Sequence, residues 1–210
     1  MKAIFSALLL TGVAAVMPAQ AADTAQGKAL FDATCVACHG AAGEGNPALN
    51  APALAGQQEA YIQRQLINFR TDLRGTAPGD AGGAMMAPMA KALPDDAAVT
   101  AVAQYLASLP AVKASATLSG GDAAQGLKLY QSKCGSCHGG KAEGNPALNS
   151  PALAGQSDSY LQTQFNNFKQ GKRGYQQQDK LGRQMKMMAN TLNEQELQDV
   201  LAYLNTLAAN

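Results

Sequence analysis

The hexapeptide CVACHG at residues 35–40 returns as CGSCHG at residues 134–139, and together the two contain every cysteine and every histidine of a 210-residue chain. Two copies of one ligand pattern require two similar places to put it. Sliding the sequence by 99 residues extends the match: EGNPALNAPALAGQ at 44–57 meets EGNPALNSPALAGQ at 143–156, with Ala51 against Ser150 the one difference. Gly27 falls on Gly126, Phe31 on Tyr130, Tyr61 on Tyr160, Phe69 on Phe168, Arg74-Gly75 on Arg173-Gly174, Met86 on Met185 and Met89 on Met188. The register slips by one near the end, where Tyr105 pairs with Tyr203. Two copies of this size are two domains, whereas a solenoid needs several shorter units. The join falls in LPAVKASATLSGGD, 109–122, rich in Pro, Ser and Gly. The expected domains are therefore 22–113 and 114–210.

Each copy reads as all-α. A short first helix, about 25–34 and 124–133, runs into the cysteine motif. A second places Tyr61, Ile62, Leu66 and Phe69 at helical spacing, matched by Leu161, Phe165 and Phe168. The last helix opens near Asp95-Asp96, acids at the favourable end of the helix dipole rather than a carboxylate dyad. It carries Val99, Val102, Ala103, Leu106 and Leu109, and Leu197, Val200, Leu201, Leu204 and Leu207 repeat those offsets. Between helices the Gly- and Pro-rich stretches AAGEGNPALNAP and GTAPGDAGGAMMAP read as loops.

Cys-x-x-Cys-His is the attachment signature of c-type haem. On a helical turn its two cysteines reach the two vinyl groups of one porphyrin, forming thioethers, and the next histidine turns its imidazole toward the iron. A structural zinc site is disfavoured because the pairs stand 99 residues apart, each followed directly by His. A redox dithiol would need a βαβ setting. Two disulfides suit an exported protein but leave the twin histidines unexplained. The reading is two covalently bound haem c, on Cys35, Cys38 and His39 and on Cys134, Cys137 and His138.

Export itself is read from the start of the chain. Met1-Lys2, an apolar run from Ile4 to Met17, and Ala19-Gln20-Ala21 form a signal peptide cleaved after residue 21. The run is shorter than the roughly 20 residues that span a bilayer. The expected location is the periplasm, with no transmembrane segment in the mature form. Residues 22–113 carry 6 basic and 8 acidic side chains and residues 114–210 carry 9 and 7, so neither half has the basic stripe of a nucleic-acid binder.

Thioether sulfur is a usual sixth ligand of haem iron. Outside the signal segment every methionine (Met85, Met86, Met89, Met185, Met187, Met188) lies in the same segment of one copy or the other. Met86/Met185 and Met89/Met188 keep the repeat register.

These features resemble two fused class I cytochrome c domains, and most closely the dihaem cytochrome c4 family, over essentially the whole mature chain. The resemblance rests on the tandem CxxCH motifs, the paired PALAGQ segments, the methionine segments and final helices bearing AQYLASL or LAYLNTL. It implies that the ligand methionine stands seven residues before the leucine ahead of the last helix. Counting back from Leu93 and Leu192 gives Met86 and Met185 as axial iron ligands, with Met89 and Met188 in reserve. It implies that Pro52 and Pro151 accept the Nδ1–H of the axial histidines. It also implies that Gly27 and Gly126 let the first and last helices approach closely. With both irons His/Met ligated no coordination position is open, so the expected role is an electron carrier and not an enzyme. The resemblance implies transfer from a bc1-type complex to a terminal oxidase. The alternative is the dihaem subunit of an oxidoreductase, such as a flavocytochrome sulfide dehydrogenase or an alcohol dehydrogenase.

Overall fold

The structure, a computed structural model, describes residues 19–207, with side chains from residue 24 onward. The expected signal peptide lies outside the described residues except for its last three. No described helix is long and apolar enough to cross a membrane. The first half contains α1 (Ala19–Thr34), α2 (Val36–His39), α3 (Glu59–Arg70), α4 (Ala81–Lys91) and α5 (Asp96–Ser108). The second half repeats the order with α6 (Ala123–Lys133), α7 (Gly135–His138), α8 (Asp158–Lys169), α9 (Lys180–Ala189) and α10 (Glu194–Thr206). Strand pairing among the described residues amounts to two isolated bridges, Asn46 with Ala51 and Asn145 with Ser150.

The core of each half forms where its first and last helices cross. The stripe on α5 buries Val99, Val102, Ala103 and Leu106 against Phe31 of α1 and Ile62 of α3. On α10, Val200, Tyr203 and Leu204 meet Tyr130 of α6. Full burial of such a side chain contributes roughly 1.5–3 kcal/mol. Both crossings depend on glycine. A methyl group on Gly27 would run into the carbonyl oxygen of Ala101, and one on Gly126 into that of Asp199. Above each glycine an aromatic pair closes the contact, Phe31–Tyr105 at 5.6 Å between ring centroids and Tyr130–Tyr203 at 5.4 Å.

The methionine segments are helical, not the loops expected from their Gly and Pro content. The Asp80 carboxylate accepts the Gly83 N–H and Asp179 accepts the Gly182 N–H, so each helix starts on a side-chain cap. Ala87 and Ala90 then bury against Phe69, anchoring α4 on α3 despite Pro88 in its interior. Tertiary packing overrides local propensity here.

The two halves meet about a pseudo-two-fold axis that follows the 99-residue register. The Gln57 amide pairs with Ala152, donating Nε2–H to its carbonyl and accepting its N–H, both at 3.0 Å. Gln156 pairs with Ala53 the same way, both at 2.9 Å. Arg74 donates to Gln164 across the interface while Arg173 donates to Gln65. The hydroxyls of Thr76 and Tyr175, a residue and its own repeat counterpart, lie 2.6 Å apart. The linker runs from α5 to α6 without regular structure and is tied to the second half. Its Ala114 N–H bonds the Gly155 carbonyl, and Thr117 and Leu118 bond the buried Asp158 carboxylate.

Candidate haem sites

The helix before each motif supplies the footing. Cys35 N–H still bonds the Phe31 carbonyl as α1 ends, and Cys35 then opens a single helical turn in which His39 N–H returns to the Cys35 carbonyl at 3.0 Å. Cys35 and Cys38 stand three residues apart on that turn, so they share a face, and His39 follows directly. Cys134, Cys137 and His138 repeat this, with His138 N–H to Cys134 carbonyl at 2.9 Å. No disulfide links the four thiols. Burial pushes Cys35 and Cys134 up to about 11, so both are neutral thiols on a partly apolar bed.

A rigid elbow brings proline to the histidine. Asn46 and Ala51 exchange backbone hydrogen bonds around a 3-10 turn at Pro47–Leu49, and Asn50 closes it with a positive φ of 52°. The chain leaves this elbow at Pro52, whose carbonyl lies 2.9 Å from His39 Nδ1. In the second half the Pro151 carbonyl lies 2.9 Å from His138 Nδ1. A carbonyl only accepts, so each neutral imidazole carries its proton on Nδ1 and presents the Nε2 lone pair. Burial, opposed by this hydrogen bond, lowers both histidine pKa values and keeps the rings neutral near pH 7.

The methionines divide by exposure. Met86 on α4 is half-buried and packs against the Phe69, Ala87 and Ala90 cluster, and Met185 on α9 is half-buried likewise. Met85, Met89, Met187 and Met188 are exposed, Met85 and Met187 at above 60%. Ala90 and Leu93, four and seven residues after Met86, are buried, as are Ala189 and Leu192 after Met185.

Arg74 and Arg173 sit where the two halves meet, although the sequence marks them only as matching positions. Both are buried, 4.4 and 4.2 Å above the rings of Phe69 and Phe168, and both donate to Gln65 and Gln164. Neither has a carboxylate within salt-bridge distance among the described residues, and Arg74 Nε, like Arg64 Nε, is buried without an acceptor. Burial, then the neighbouring Arg74 cation, lower the pKa of Arg173. The signal available in sequence was that a costly buried-type polar residue keeps its identity in both copies.

This donor set fits haem c. Each half offers two thiols on one helical face, an imidazole with its lone pair on Nε2 and a half-buried thioether.

Comparison with known proteins agrees. The Cytochrome c family matches twice, over residues 24–110 and 123–208. The chain is 41% identical over 150 residues to a "thiosulfate dehydrogenase electron acceptor" of Thiomonas intermedia, covering 67% of this chain and 65% of that protein. It is 30% identical over 219 residues to cytochrome c4 of Azotobacter vinelandii, covering 98% and 99%. The crystal structure of reduced recombinant cytochrome c4 from Pseudomonas stutzeri superposes with a TM-score of 0.67 at 29% identity, covering 88% of this chain and 98% of that one. Two tandem cytochrome c domains, each with its own covalent haem motif, make the chain a member of the dihaem cytochrome c4 family, an electron-carrying cytochrome.

Proposed function

We propose that the chain is a soluble periplasmic carrier of single electrons, exported by residues 1–21. In this reading His39 and Met86 are the axial iron ligands of the first domain and His138 and Met185 those of the second. Cys35, Cys38, Cys134 and Cys137 form the thioethers. The observation that carries the reading is the duplicated imidazole geometry: both Nδ1 atoms lie 2.9 Å from a proline carbonyl, with the methionine of the same register half-buried in each half. Bound haem supplies reversible one-electron exchange at iron. The protein holds each imidazole neutral and oriented, and offers a thioether that favours the reduced state. With a histidine and a methionine holding the iron in each half, no ligand position would be left for a substrate, and the role would be transfer and not turnover.

The donor and acceptor in this proposal are a bc1-type complex and a terminal oxidase. A second reading of the donor is favoured by one observation, the name of the Thiomonas relative, and makes it a thiosulfate dehydrogenase. Rapid mixing of the oxidised holoprotein separates them. Reduction by quinol-fed bc1 membranes, followed by re-oxidation by oxidase-containing membranes, is the expected result. Reduction only by a dehydrogenase fed thiosulfate would replace the first donor with the second. Stoichiometric co-purification with a catalytic flavoprotein or alcohol dehydrogenase chain would overturn the carrier reading in favour of a subunit.

A further inference from the structure

The peptide unit that receives each axial histidine is also the unit grasped by the opposite domain. His39 donates Nδ1–H to the Pro52 carbonyl, and the same Pro52–Ala53 peptide donates its N–H to Gln156 Oε1 at 2.9 Å. His138 donates to the Pro151 carbonyl, and the Pro151–Ala152 peptide donates its N–H to Gln57 Oε1 at 3.0 Å. Each glutamine also donates Nε2–H to the carbonyl of the same alanine, so the amide is fixed at both ends. Gln57 is buried, and beside the pair lies a cavity of about 40 Å³, room for little solvent.

A peptide that donates at N–H becomes a better acceptor at C=O, because hydrogen bonds in series polarise one another, the more so in a low-dielectric setting. A better acceptor draws the Nδ1 proton and makes the imidazole more electron-rich. An electron-rich axial ligand favours Fe(III) over Fe(II). We propose that Gln156 and Gln57 are positioning residues acting across the interface: Gln156 sets the basicity of His39 in the first domain, and Gln57 that of His138 in the second. The reduction potential of each haem is thereby under the control of the other domain. This rests on the axial roles of His39 and His138 given above.

The test is crossed. Gln156→Leu and Gln57→Leu are compared with the unaltered holoprotein by redox titration, each haem being assigned to its domain, and by the NMR resonances of the two histidine Nδ1–H groups in the reduced ¹⁵N-labelled protein. Gln156→Leu shifts the Nδ1–H resonance of His39 and raises the potential of the first-domain haem while the second-domain haem stays put. Gln57→Leu does the reverse. The expected change in each reduction equilibrium is about two- to tenfold, tenfold being about 59 mV for one electron. Gln156→Asn, too short to reach Ala53, repeats the measurement if the leucine variant loads haem poorly. Thr76→Ala removes an interface hydrogen bond away from both peptides and leaves both potentials in place. A shift confined to the domain bearing the substitution, an equal shift in both haems, or no shift overturns the proposal. Histidine resonances without haem-induced displacement in the unaltered protein would instead remove the axial-ligand reading beneath it.

Discussion

Replacing Asp158 by Asn tests whether one buried carboxylate locks the interdomain linker to the second domain. Asp158 is 1% exposed at the start of α8 and accepts from Thr117 N–H and Oγ1–H, Leu118 N–H, Ser159 N–H and Asn205 Nδ2–H, at distances between 2.6 and 3.1 Å. Burial alone would raise its pKa; the donors from Thr117, Leu118 and Asn205 overcome that and bring it from 3.8 to about 2. At about 1.36 kcal/mol per pKa unit the charged form contributes about 2 kcal/mol to folding. Because the folded pKa is the lower one, this contribution is complete above pH 4 and is lost as pH falls toward 2. At pH 7 Asp158→Asn lowers the stability of the holoprotein by about 2 kcal/mol in guanidinium melts, on the order of 5 °C in Tm. Proteolysis within residues 110–122 quickens as the linker comes free. The penalty shrinks as the melts are repeated toward pH 3. A carbon-detected titration placing the Asp158 midpoint near 3.8, or a pH 7 penalty below about 0.5 kcal/mol, the ordinary range for a surface substitution, would refute the reasoning.

Gly126→Ala forces α6 away from the Asp199 carbonyl, which as backbone cannot step aside, and should cost about 1–3 kcal/mol in thermal melts of the holoprotein; Gly27→Ala should behave alike in the first domain. Met86→Leu and Met185→Leu should each remove half of the weak sulfur-to-iron band in the red spectrum of the ferric protein. Met89→Leu and Met188→Leu should leave it whole. Arg74→Leu strips the Gln65 and Gln164 carbonyls of one donor each and should cost about 2 kcal/mol, with X-ray scattering reporting a larger separation of the domains.

Elements that depend on local pattern were legible in the sequence, and those that depend on distant partners were not. The stripe Val99, Val102, Ala103, Leu106 names its own buried face, and the CxxCH spacing names its own helical turn. The 99-residue register carried the reading of Gly27 onto Gly126, and both proved to be close helix crossings. The helicity of Ala81–Lys91 was hidden, because two glycines and Pro88 argue locally against it while the Asp80 cap and the bed on Phe69 that favour it come from folding. Gln57 and Gln156 were visible as repeated letters with no task, since their partners lie 95 and 103 residues away. Asp158 was silent for a further reason. Its counterpart is Glu59, which is exposed, so repetition gave it no emphasis.

The reciprocal contacts of Gln57 with Ala152 and Gln156 with Ala53 have a consequence for ancestry and assembly. A patch that pairs with its own repeat is an isologous interface, the kind a two-fold symmetric homodimer of a single-domain chain would present. The linker turns such an association into an intramolecular one, at an effective concentration in the millimolar range for a short tether. Selection on a free dimer must preserve every contact in both roles at once; a single chain escapes that rule. Asn50 meeting Thr163 where Asn149 meets Arg64 is one place where the two sides have already diverged, each keeping a hydrogen bond by different chemistry.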